Sequence, residues 1–200
     1  MRFTQAFNEL MANSRLIIIV LIVAIIGAIV TGIISFFLGV GVSISSIIGL
    51  NSPAAFVRKL ILSVVVEIFY MFALAISIYS YSRGWGIGES FSNSSLFLSD
   101  AVIAGIALGL VTFIFSYIPV IGILISSLVM MGLAFSLSIS ERSGLKIADS
   151  MEKGFSIMPK LLSYDGISLL VLYIFCILSF IPIVNIFTIP YVAILSRMLT

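Results

Sequence analysis

Long apolar runs separated by short polar stretches dominate this chain. Six can be marked, at 16–40, 53–80, 101–118, 120–140, 167–181 and Asn185–Leu199. A helix needs roughly 20 apolar residues to cross about 30 Å of hydrocarbon, and the first two runs are long enough alone. The third and fourth form one apolar block, split at Tyr117-Ile118-Pro119-Val120-Ile121-Gly122. Proline removes a backbone donor and clashes with the preceding turn, and glycine permits a tight reversal. Pro119 and Gly122 therefore predict the tip of a helical hairpin. The fifth and sixth runs repeat the pattern around Ile181-Pro182-Ile183-Val184-Asn185, with Pro182 and Asn185 at the tip. The sixth run is short and carries Pro190, which predicts a kink or a late start.

The two breaks align without a gap. Ile118-Pro119-Val120-Ile121-Gly122-Ile123 matches Ile181-Pro182-Ile183-Val184-Asn185-Ile186 at an offset of 63 residues. An amphipathic stretch precedes each. Over 146–162, Ile147, Met151, Phe155, Met158 and Leu162 share one helical face, with Lys146, Asp149, Glu152, Lys153 and Lys160 behind it. That is the spacing of a surface helix. Ile87, Phe91 and Leu98 form a weaker version, and Phe3, Phe7 and Leu10 a third. The pattern predicts an all-α polytopic membrane protein. About six transmembrane helices form three hairpins, each preceded by an interfacial helix. The chain is one domain, 1–200, with pseudo-repeats at approximately 1–82, 83–143 and 144–200.

Composition agrees with a membrane protein. The chain is 62% hydrophobic and 9% charged, against about 25% charged in average soluble domains. A net charge of +2 gives no argument for nucleic acid. Position matters more than sum. Arg2, Arg15, Arg83, Arg142, Lys146, Lys153, Lys160 and Arg197 fall on one side of a six-helix arrangement, and only Arg58 and Lys59 on the other. The positive-inside rule then places both termini in the cytoplasm of a multi-pass cell-membrane protein. Trp85, Tyr79, Tyr81 and Tyr164 fall at the same boundary, where amphipathic rings prefer to lie. The apolar run after Arg15 is far longer than a signal core of about 7–15 residues, so it is read as a retained first transmembrane helix.

Candidate chemistry is sparse. There is no histidine, and the single cysteine, Cys176, lies inside an apolar run. No nucleophile elbow, zinc-protease motif, phosphate loop or dinucleotide fingerprint occurs. The expectation is no catalysis and no cofactor or metal. Glu67, near the middle of the second apolar run, is the most informative residue. A carboxyl group there is costly, so it is protonated, paired or facing a polar cavity. Ser63 and Tyr70 share its helical face. The functional reading is a proton or cation site in a transport path; the structural one is a hydrogen bond across helices or contact with a partner subunit. Arg58 and Lys59 read as side chains reaching the outer headgroups. Ser52 followed by Pro53 reads as a helix start, and Asp100 and Asp165 as helix N-terminal caps. Small residues spaced by four predict close helix contacts at Ala24, Ala28 and Gly32, at Ala101, Gly105 and Gly109, and at Gly132, Ser136 and Ser140.

Three phrases carry a resemblance. They are Phe155-Ser156-Ile157-Met158-Pro159-Lys160-Leu161-Leu162 before a helix, the break Ile181-Pro182-Ile183-Val184-Asn185, and Ile189-Pro190-Tyr191-Val192-Ala193 near the end. Over its second half the chain resembles prokaryotic, often archaeal, membrane families of unknown function. These are similar to the membrane domain of some glycerophosphodiester phosphodiesterases and to YciC-like proteins. The resemblance implies a six-helix fold with cytoplasmic interfacial helices. None of the phosphodiesterase catalytic domain lies in these residues, so no enzymatic role carries over.

Two functional readings follow. The first is a non-catalytic membrane protein, an accessory or scaffolding subunit or one acting on the bilayer, with membrane lipid and a protein partner or a second copy as its contacts. The alternative is a small transporter or channel using Glu67.

Overall fold

The computed structural model describes residues 2–47 and 51–200, and every regular element among them is helical. In chain order these are α1 (Arg2–Ala12), α2 (Arg15–Ile47), α3 (Asn51–Arg83), α4 (Ile87–Ser92), a 3-10 turn at Ser94–Leu96, α5 (Leu98–Phe115), α6 (Pro119–Ser143), α7 (Ile147–Tyr164), α8 (Gly166–Leu178) and α9 (Asn185–Leu199). The fold is all-α, polytopic and of membrane type. Helices α2, α3, α5 and α6 are long and apolar enough to cross a membrane. Helices α8 and α9 are apolar but have only 13 and 15 residues. At 1.5 Å per residue they extend about 20 and 22 Å, less than the hydrocarbon thickness. The predicted Ser52 cap lies outside the described side chains, as does the ring of Pro119.

Local chemistry explains the junctions. Pro119 opens α6 as its first residue, where a missing N–H costs nothing. Gly84 and Gly144 take left-handed φ values of 69° and 68° after α3 and α6, a conformation that suits glycine. Each is followed two residues later by an extended residue, Gly86 or Lys146, that opens the next helix. The two proline breaks also start alike. The Ile118 N–H donates to Phe115 O and the Ile181 N–H to Leu178 O, both at 3.0 Å. They then diverge. Helix α6 resumes at once, whereas Ile183 turns left-handed at φ 72° and α9 resumes only at Asn185. A β-branched residue in that region is strained by about 1–3 kcal/mol.

A charged cluster gathers one end of the bundle. Half-buried Glu141, at the end of α6, pairs with Arg197 at 3.1 Å and Arg83 at 3.5 Å, and accepts from the Ser82 hydroxyl at 2.8 Å. Arg15 donates to Gly84 O at 3.1 Å. The start of α2 and the ends of α3, α6 and α9 therefore share this basic end. At the far end, Lys59 Nζ sits 4.1 Å above the Tyr117 ring, and Phe56 meets Phe113 edge to face.

Three expectations about helix contacts need correction. Asp100 does not cap its own helix. Its Oδ1 accepts from the Ile147 N–H at 3.2 Å and its Oδ2 from the Ser140 hydroxyl at 2.8 Å, so it caps α7. Asp165 makes no side-chain cap and lies 3.8 Å from Arg2. The packing face of α7 is rotated from the predicted one, running through Ile147, Ser150, Gly154 and Leu161, while Leu162 is 69% exposed. The reason is close approach: a Cβ on Gly154 would meet the Ser136 side chain, and one on Gly132 the Phe155 ring.

Candidate intramembrane site

The site begins with a pair of glycines. A Cβ on Gly109 would stand 2.6 Å from Val64 Cα, and one on Gly105 would overlap Ile68 Cα. Helices α3 and α5 therefore touch backbone to backbone, as small residues at this spacing allow. The Ser63 hydroxyl seals the contact by donating to Gly109 O at 3.0 Å. One turn further along α5, Thr112 faces α3. Its Oγ1 donates to Glu67 Oε1 at 3.2 Å and lies 3.2 Å from Ser126 Oγ on α6. A threonine hydroxyl carries one hydrogen and two acceptor lone pairs, so Glu67, Thr112 and Ser126 form a row in which either direction of donation is possible.

Glu67 is only 3% exposed, and its Oε2 is buried without a hydrogen-bond partner. A buried polar atom in that state costs about 1–3 kcal/mol and calls for an explanation. The carboxyl group lines a cleft of about 500 Å³, together with Arg58, Lys59, Ser63 and Thr112. Arg58 lies about 13 Å from Glu67 along α3, at 1.5 Å per residue, toward the far end of the bundle. Its Nη2 donates to Ser35 Oγ on α2 at 3.1 Å. Toward the basic end α3 enters the core, where Met71, Leu74, Ile76 and Ile78 are fully buried. The cleft thus lies on the far-end side of Glu67, with an apolar plug on the other.

The predicted site residues divide. Ser63 lines the cleft but bonds α5, not Glu67. The Tyr70 hydroxyl turns away and accepts from Asn185 Nδ2 at 2.8 Å, with its ring stacked on Phe180. Tyr70 and Asn185, predicted separately, meet each other. Gly122 lies in the first turn of α6, its N–H donating to Ile118 O at 2.7 Å, and a Cβ there would stand 2.5 Å from Phe115 O. It lets α6 pass under the end of α5. Pro182 lies at the α8–α9 tip, away from Glu67. Thr112 and Ser126 were missed. The available signal was a hydroxyl one turn beyond Gly105 and Gly109, on the stripe already read as a contact.

Among the described residues, no three histidine, cysteine or acidic side chains group as a metal site. The chain matches no family model, no curated protein and no solved structure.

Proposed function

We propose that the protein is a small membrane carrier that takes up a proton at Glu67 through the cleft on the far face. The observation that carries this reading is the unpartnered Oε2 of a buried carboxyl group on a residue that lines a cleft with Arg58, Lys59, Ser63 and Thr112. Arg58 and Lys59 at the entrance repel metal and organic cations. A proton passes them along water and hydroxyl groups, and Thr112 and Ser126 extend such a row inward. The side toward the basic end is closed by apolar packing, as alternating access requires of one state. The positive-inside rule makes the basic end cytoplasmic and puts both termini there, in the cell membrane. Membrane lipid surrounds the bundle.

A second reading keeps the protein as a non-catalytic accessory or scaffolding subunit. Glu67 then serves, through its bond with Thr112, to hold α3 against α5 in a frame on which a partner helix or a second copy packs. Reconstitution separates the two. Liposomes containing the wild-type protein and a pH-sensitive dye should acidify under an imposed pH gradient, and Glu67→Gln should abolish the flux while remaining folded. Liposomes that stay tight, with a stoichiometric partner retained in mild detergent, would support the accessory role instead.

A further inference from the structure

The tip of α8–α9 stops at Tyr70, whereas the tip of α5–α6 reaches Lys59. These points lie about 16 Å apart along α3, at 1.5 Å per residue. Above the shorter tip, between α2 and α3, is a cavity of about 530 Å³. Helix α2 gives it Ala24, Ala28 and Gly32, the stripe predicted to receive a helix. Among the described residues no helix covers it: none of their atoms stands within 4 Å of where a Cβ on Gly32 would lie. Pro182 and Ile183 form the floor, and Ser35 lines the far rim, where its hydroxyl accepts from Arg58.

We propose that this cavity binds one acyl chain of an anionic membrane lipid, with the headgroup phosphate on Arg58. Three observations favour that occupant. The walls are mostly apolar over a length of about 21 Å, taken from Leu21 to Ser35 at the rise of α2. A methylene fills roughly the volume of a water, about 30 Å³, so the space suits a chain of about 16–18 carbons. The rim carries a guanidinium, whose fork matches a phosphate. A protein helix would need the full length of α2 to pack on, and the α8–α9 tip blocks the lower part of the groove. The cavity adjoins the Glu67 cleft, which Arg58 and Val66 also line, but the proposal does not depend on the carrier reading.

The test is native mass spectrometry of the purified protein with phosphatidylglycerol and phosphatidylcholine of identical chains. Wild type should retain one phosphatidylglycerol about tenfold more readily. Arg58→Gln should remove that preference, and Lys59→Gln, whose ammonium sits on Tyr117, should preserve it. Ala28→Phe fills the cavity from a lipid-facing position and should reduce retention of both lipids. Water-soluble glycerol phosphate should not compete. Equal retention of the two lipids by wild type, a preference that survives Arg58→Gln, retention untouched by Ala28→Phe, or competition by glycerol phosphate would each overturn the proposal.

Discussion

At the scale of the residue, Glu67 decides most. An acid inside an apolar run was visible in the sequence because nothing else in that run is acidic. Thr112 had only its place one turn beyond Gly109 to mark it, and Ser126 nothing, because lone hydroxyls are common in membrane helices and their partners depend on which faces meet. Glu67→Gln should fold and insert with little loss. A glutamine oxygen can still accept from Thr112, and its amide group then donates toward the cleft. Glu67→Lys should not. It removes that acceptor and places a fixed charge in the membrane, at about 2.5–3.5 kcal/mol on insertion scales. Expression level and melting temperature in detergent compare the two variants. Equal loss in both would show that an ionised carboxylate holds the helices together.

At the scale of the element, the helix breaks were legible and the helix contacts only partly so. Proline at 119 and 182 marks where a backbone must turn, whatever surrounds it. Which stripe of small residues meets a neighbour depends on tertiary packing. Gly105 and Gly109 meet α3, Gly132 and Ser136 meet α7, and Gly32 meets no helix among the described residues. Apolar periodicity in α7 marked the greasy face. The true contact centres on Ser150 and Gly154, because close approach needs small side chains more than apolar ones. The two kinds of glycine should behave differently. Gly109→Val should push α3 from α5, cost about 1–3 kcal/mol as overpacking does, and break the Thr112–Glu67 bond. Gly32→Ala should leave the melting temperature unchanged. Equal effects at both positions would contradict the packing described.

At the scale of the whole molecule, the all-α membrane fold follows from hydropathy alone, since about 20 apolar residues have few other uses. The depth of the last hairpin did not follow. Its shortness was legible in the run Asn185–Leu199, but its level was set by the Tyr70–Asn185 hydrogen bond, which joins distant parts of the chain. Topology can be checked with single cysteines against a quiet background, because native Cys176 is fully buried. Ser143→Cys at the basic end and Ile118→Cys at the far end are both exposed positions. An impermeant thiol reagent outside intact cells should label Ile118→Cys only. Labelling of Ser143→Cys would invert the orientation.

In the carrier we propose, water reaches the neighbourhood of Glu67 from the far face and not from the basic end. Ser63→Cys on the cleft and Leu74→Cys in the plug test it most directly, using a small charged thiol reagent applied to each side of oriented membranes. Reaction at position 63 from the far side alone, with position 74 silent from both, is the predicted result. A position 63 as unreactive as position 74 would mean that no water path leads to Glu67 from the far face.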